Sequence, residues 1–469
     1  MRPTPEPFML NRHLPTYSVI VAAAFLLGAC AELPSNKASQ AGNVLPLPKR
    51  YDATQPPVPQ VANNIQQLFS DAALNQHIAD ALRHNPELRL SAARLEEAGF
   101  NTRSAKAGLS PQLNANVGGG PSRSNPTGLA AINSESYTAS LDAQWEIDVW
   151  GRIRSGIDAS SSDQAAIAAD LAAARQSIAA QTAQAYFQLL RASTLLQLSE
   201  ERLVSFQNTL NHVNRRFEAG TANLGSLDLA RTDLESTRSQ VAQLKDERDQ
   251  AARSLAILTG KYPSNRSKAT RWPTLKRSVP ANIPSTVMMQ RPDIDAAYQR
   301  IRAADSRVNV AHKDLYPSFS LTAGYGRQSS ILEDLARSNF NAWSIVGNVS
   351  APLIDGGRRR AELGAANARA KQALATYQST VLNAFQEVEN ALGSESYLRQ
   401  QFSATSNALK AAERAEARGM RSYDSGLINI LDLLEVQRRT FNTEEALINL
   451  KALRYQNRVS LALALGKAL

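Results

Sequence analysis

Cysteine is nearly absent: Cys30 is the only one in 469 residues, so no internal disulfide can staple the fold. Aromatic residues are also scarce, at 6%, and stretches such as Ala165 to Ala174 carry almost no bulk, which argues against one thick globular core. Beyond Leu27 there is no run of about 18 apolar residues. That excludes a transmembrane helix from the rest of the chain and leaves strands as the means of crossing a bilayer. Among the five histidines, His77, His84, His212 and His312 show no close metal-ligand spacing. The pairs Gly260-Lys261 and Gly466-Lys467 lack the upstream glycine of a phosphate loop. No catalytic residue, cofactor site or metal site is read from the sequence, and an enzyme reading has no supporting motif. The net charge of +10 is spread among acids along amphipathic segments rather than gathered in one basic block, which speaks against a nucleic-acid partner.

The amino terminus carries a cationic stretch (Arg2, Arg12, His13), an apolar stretch from Tyr17 to Leu27, and then Leu27-Gly28-Ala29-Cys30. Small residues just before a cysteine let a peptidase close on extended backbone, and the thiol is first alkylated by lipid. Residues 1–29 are therefore expected to be a lipoprotein signal, with the mature chain beginning at lipidated Cys30. Ala31, rather than Asp, follows the cysteine, which resembles the default sorting to the outer membrane. Residues 30–67, with Pro46, Pro48, Pro56, Pro57 and Pro59, read as an extended tether.

One internal offset organises everything else. Pro292 minus Pro86 is 206, and the same difference relates Pro111 to Pro317, Gly151-Arg152 to Gly357-Arg358, Gly220 to Gly426 and Gly260-Lys261 to Gly466-Lys467. Register kept over such a length without a gap marks a tandem duplication. The repeats are assigned to residues 68–260 and 286–469, with a proline-rich connector over 261–285.

Each repeat reads as helix, strand, strand, very long helix, turn, helix. The first helices begin near Asn85-Pro86 and Arg291-Pro292 and end before Pro111 and Pro317. In the clearest strand Tyr137, Ala139, Leu141, Ala143, Trp145, Ile147 and Val149 share one face, and Ser136, Thr138, Ser140, Asp142, Gln144, Glu146 and Asp148 the other. Its repeat mate alternates Trp343, Ile345, Gly347, Val349 and Ala351 with Ser344, Asn348 and Ser350. From about Gly151 to Glu218 no proline interrupts a helical pattern on the order of 100 Å long. A heptad stripe, Leu189, Leu196, Leu203, Leu210 and Phe217, runs along it, and Leu434, Phe441, Ile448, Tyr455 and Ala462 form another in the second repeat. Such stripes pack helix against helix.

Two membrane-competent strands per repeat make four per chain, and sheet edges cannot stand open in hydrocarbon. Membrane barrels need about eight strands or more, so one chain cannot close one. Two copies would give a narrow, side-chain-filled barrel, whereas three leave room for a pore. The lipobox, the duplication, Asp355-Gly356-Gly357-Arg358, and Tyr423-Asp424-Ser425-Gly426 followed by Leu433-Leu434-Glu435-Val436-Gln437-Arg438 together resemble the TolC-like outer-membrane factor family, in its lipoprotein branch.

The resemblance implies an α+β channel-tunnel: a homotrimer with a twelve-stranded β-barrel in the outer membrane and a twelve-helix periplasmic α-barrel. It implies a passive exit duct for small toxic compounds or drugs, with a periplasmic adaptor and an inner-membrane transporter, typically proton-driven, as partners. A type I protein-secretion duct is the alternative within this architecture. A lipid-anchored coiled-coil scaffold without a pore is the alternative outside it. In the family two helical hairpins form the tunnel tip, matched here by Phe217, Gly220 and Thr221 and by Tyr423, Gly426 and Leu427. Acids often line the aperture there. Here Ile428 stands where related channels can carry an acid, and Asp424 and Asp432 are the nearest carboxylates. Gly151, Arg152, Gly357 and Arg358 mark the strand-to-helix turns, where turn chemistry is the first role expected and contact with outer-membrane lipid headgroups a further one.

Overall fold

A computed structural model describes residues 36–40, 65–125, 127–128, 130–267, 269, 271–275, 290–336 and 341–466. Cys30, the signal segment, most of the tether, part of the connector and Lys467 lie outside the described residues.

In chain order the elements are α1 (Lys37–Gln40), α2 (Ile65–Phe69), α3 (Ala72–His84), α4 (Pro86–Ala107), β1 (Gln112–Ser124), β2 (Ile132–Ile147), α5 (Arg152–Glu218) and α6 (Leu224–Leu258). Then follow α7 (Pro292–Lys313), β3 (Ser318–Ser329), a short 3-10 turn at Leu332–Ala336, β4 (Asn341–Ser350), α8 (Arg358–Asp424) and α9 (Ile430–Ala464). Adding 206 to both ends of α4, α5 and α6 gives both ends of α7, α8 and α9. The duplication read in the sequence is thus kept in the helices to the residue. Among the described residues no helix is long and apolar enough to cross a membrane.

Local chemistry explains the boundaries. Asn85 stops α3 and caps α4, accepting from the backbone N–H groups of Glu87 and Leu88, while Pro86 takes the first helical position, where its missing N–H is harmless. Pro292 does the same for α7. α5 and α8 are 67 residues each, roughly 100 Å of helix at about 1.5 Å per residue.

Three differences from the sequence reading have physical causes. β2 ends at Ile147, so Val149 is not on the strand: the Val149 N–H turns back to the Ile147 carbonyl at 2.8 Å. The Asp148 carboxylate accepts from the N–H groups of Ile153 and Arg154, drawing the chain off the ladder and into α5. Ala351 likewise lies beyond β4. The first repeat does not begin its helices at Pro86, because Asp71 caps a separate helix, α3. The tether is not extended throughout: α1 packs on α7, with the Ala38 N–H donating to Asp305 Oδ2 at 2.7 Å, and α2 runs across the expected boundary at 67.

The strands form one antiparallel sheet in the order β1-β2-β3-β4. One row across it reads Ala115, Leu141, Tyr325, Trp343, and the next reads Asn114, Asp142, Gly324, Ser344. In the helices the apolar residues gather in several clusters. One joins α2, α3, α5 and α9 through Phe69, Phe187 and Tyr455, with Trp272 of the connector against it. Another fills α7, α8 and α9 with Ile294, Ile301, Val381, Val388 and Leu461. A third, with Phe206, Val213, Leu227, Leu234, Tyr423 and Leu433, ties together the far ends of the two helical hairpins α5–α6 and α8–α9.

Candidate functional site

Because side chains alternate along a strand, the sheet separates its residues into two faces. Leu113, Val117, Leu141, Ile147, Tyr325, Trp343, Ile345 and Val349 share one face, and all are exposed. The opposite face carries Asn114, Asn116, Ser140, Asp142, Gln144, Thr322, Ser344 and Asn348, with Val346 a departure on β4. On this polar face the Asp142 carboxylate accepts from Ser140 Oγ at 2.6 Å and Asn116 Nδ2 at 2.8 Å. β2 has 16 residues, about 53 Å at roughly 3.3 Å each, more than a tilted bilayer-crossing strand needs. The sheet ends in β1 on one side and β4 on the other, each with a ladder edge that bears no strand among the described residues.

At the strand-to-helix turns, Gly151 and Gly357 adopt the left-handed conformation, φ +75° and +85°, which a Cβ disfavours. Arg152 forks onto Glu146 at 2.7 Å and lies 3.5 Å from Asp314, so its guanidinium ties β2 and α7 to the start of α5. Trp150 donates its indole N–H to the Pro317 carbonyl and stacks on Tyr316. Arg358 pairs with Glu362 one turn on.

At the other end of α5 and α8, the two hairpin turns lie together. Gly220 and Gly426 are left-handed at φ +72° and +73°. Thr221 N–H reaches back to the Arg216 carbonyl and Leu427 N–H to the Ser422 carbonyl, both at 2.8 Å, closing each helix end. Arg216 bridges the hairpins: it donates to the Tyr423 carbonyl at 3.0 Å and its guanidinium covers the Tyr423 ring. The tip residues named from the sequence therefore divide. Leu427 (78% exposed) and Phe217 (38%) present apolar surface, whereas Tyr423 (5%) is an internal packing residue. Asp424 is exposed at the end of α8, while Asp432 is engaged with the Asn429 backbone in a reciprocal cap that starts α9. Ile428 packs against the apolar cluster of the tip.

The sequence reading did not single out the polar groups buried between the long helices. Gln437, fully buried, meets Ser205 and Thr209 of α5. The Arg202 guanidinium lies over the adjoining rings of Phe206 and Phe441. Arg458 and Glu395 form a buried ion pair at 2.6 Å. Gln437 and Arg458 fall three residues after Leu434 and Tyr455 of the apolar stripe, and a polar residue at such a position was the available signal. Among the described residues no group of His, Cys, Asp and Glu is arranged to hold a metal ion.

Burial pushes the carboxyls of Glu416 and Glu444 above the usual range, and for Glu444 the neighbouring Glu201, Glu413 and Glu416 add to the shift. Folding penalises the ionised form of Glu444 relative to the unfolded chain, so its contribution improves as pH falls through the raised pKa. Glu444→Gln is expected to stabilise the protein near neutral pH. The gain should shrink as pH falls through the raised pKa toward the ordinary glutamate range, about 4.3, read as the melting-temperature difference from wild type. A difference that stays constant with pH would remove this carboxylate from the account.

Comparisons with known proteins bear on this architecture. The family model described as outer membrane efflux protein matches residues 77–261 and again 283–467. The chain is 31% identical to the cation efflux system protein CusC of Escherichia coli O6:H1, strain CFT073, over 429 residues, 90% of this chain and 93% of that protein. It is 29% identical to the antibiotic efflux pump outer membrane protein ArpC of Pseudomonas putida over 462 residues, 95% of this chain and 94% of that one. The crystal structure of the CmeC outer membrane channel of Campylobacter jejuni superposes with a TM-score of 0.83 at 25% identity, covering 93% of this chain and 92% of CmeC.

Proposed function

Because the chain belongs to the outer membrane efflux protein family, and so acts as an outer-membrane channel for efflux, we propose that it works as a homotrimer whose sheets join edge to edge in a closed barrel. One observation carries the proposal: a four-stranded sheet, apolar on one face and polar on the other, with both outer edges unpaired among the described residues. In hydrocarbon such edges must be satisfied by other strands. Three copies supply twelve strands, enough to surround an aqueous lumen lined by the polar face. α5, α6, α8 and α9 then continue each protomer's share of the wall into the periplasm.

The hairpin tip is proposed as the docking point for a periplasmic adaptor, with Phe217, Gly220, Thr221, Gly426 and Leu427 at its surface, and the adaptor links the duct to an inner-membrane transporter. Asp424 is proposed as the carboxylate offered toward the aperture, and Asp432 chiefly as a helix cap. Cys30 is proposed as the lipid attachment point. The cargo is proposed to be small toxic compounds. Among the relatives, CusC is named for cation efflux and ArpC for antibiotic efflux.

Deleting the gene together with its cognate pump should sensitise cells to at least one compound or metal ion in a toxicity panel, and a plasmid copy should restore resistance. The purified protein should form ion-conducting channels in a planar bilayer. Unchanged sensitivity throughout the panel, with a silent bilayer, would defeat the reading.

A further inference from the structure

The polar face of the sheet is almost without charge. Across β1 to β4 it carries no Lys or Arg and only two carboxylates, Asp142 and Glu146. Arg152 already pairs with Glu146 at 2.7 Å. Asp142 has no cationic partner among the described residues. Its Oδ2 accepts from Ser140 Oγ at 2.6 Å and from Asn116 Nδ2 at 2.8 Å, both neutral donors, and its Oδ1 accepts no hydrogen bond among the described residues. Oδ1 lies beside Gly324, where a Cβ would stand only 3.2 Å away. Asn116 on β1 and Ser140 on β2 thus fix one carboxylate in place, and the missing side chain on β3 leaves it room.

The duplication shows that this arrangement is particular to one repeat. Adding 206 to Asp142 gives Asn348, and adding it to Asn116 and Ser140 gives Thr322 and Val346. The second repeat therefore carries neither the charge nor the two donors, and each chain brings one such carboxylate rather than two.

We propose that Asp142 sets the ion selectivity of the barrel, its three copies making the lumen favour cations over anions. The proposal rests on the homotrimer and the polar-lined lumen described above, and adds the sign of charge that the duct prefers. Twelve strands about 4.8 Å apart and tilted about 40° enclose a barrel roughly 24 Å across. A carboxylate projecting from its wall stands roughly 8–9 Å from the axis, about one Debye length at physiological salt. No cation on the strand face cancels it, and low-dielectric walls focus its field into the lumen. The field covers the cross-section at physiological salt and shrinks toward the wall near 1 M, where the Debye length is about 3 Å. Selectivity of this origin depends on salt, whereas selection by size does not.

The purified protein is placed in planar bilayers under tenfold potassium chloride gradients centred near 0.1 M and near 1 M, and the reversal potential gives the ratio of potassium to chloride permeability. Wild type should favour potassium by about threefold or more at the lower salt, with the preference fading at the higher. Asp142→Asn keeps the shape of the side chain and should lower that ratio by at least about twofold. Asn348→Asp supplies the carboxylate that the second repeat lacks and should raise it. Asp424→Asn tests the hairpin tip as the rival seat of selectivity. Sedimentation in detergent shows that each variant assembles as wild type does. An unchanged ratio in Asp142→Asn trimers, or a preference abolished by Asp424→Asn alone, would overturn the role of Asp142 while leaving the channel standing. A protein that sediments as a monomer and conducts nothing would overturn both.

Discussion

Arg458→Met is expected to cost about 3–5 kcal/mol of folding stability, because it strands a carboxylate inside the helical packing. Glu395 is 3% exposed and Arg458 8%, and the guanidinium contacts both carboxylate oxygens at 2.6 and 3.0 Å. Asn457 completes the arrangement by donating to the Ala391 carbonyl at 3.0 Å, with Glu395 Oε2 at 3.5 Å. The pair joins α8 to α9 across 63 positions of sequence. Removing the cation leaves the anion to be protonated or hydrated at the expense of the fold. The double variant Glu395→Leu with Arg458→Met should recover much of the loss, since an apolar pair of similar volume carries no desolvation cost. Thermal or denaturant unfolding of the three variants gives the coupling directly. A single variant that unfolds like wild type would show that the pair contributes nothing.

Phe187→Ala is expected to lose a similar amount, about 3–5 kcal/mol. Phe187 is fully buried, its ring centroid 4.8 Å from Phe69, 5.0 Å from Tyr455 and 6.4 Å from Trp272. These partners come from α2, from α9 and from the connector, so one side chain of α5 anchors three separate stretches. The lost contacts should therefore show locally as well as globally. Limited proteolysis is expected to cut within α2 and α3, or near Trp272, at protease levels that leave wild type intact, and the melting temperature should fall. If the melt shifts but protection of these segments does not, the aromatic cluster is packing without a tethering role.

Much of this architecture was legible because its signals are one-dimensional. An offset of 206 residues survives in the ends of α4 to α9, where Pro86 and Pro292 open helices and Gly220 and Gly426 close them. A strand with period two reveals its faces wherever it pairs, so the apolar row of β2 was readable without knowing that β3 would lie beside it. The ends of that row were not readable: Val149 leaves the sheet because Asp148 caps α5. At the tip, sequence placed Tyr423 and Leu427 at the same hairpin, but burial separates them, since Arg216 covers the first and the second faces outward.

The amino-acid sequence by itself determined the duplication, the lengths of the long helices and the two-faced strands, because periodicity and glycine or proline stops act through neighbours along the chain. Only the tertiary structure decided that β2 adjoins β3, that Arg458 finds Glu395, and that Ala38 docks on Asp305. Those choices depend on which surfaces meet once the long helices pack, and a buried charge or an open strand edge is satisfied by whatever the fold brings alongside, at any distance in sequence.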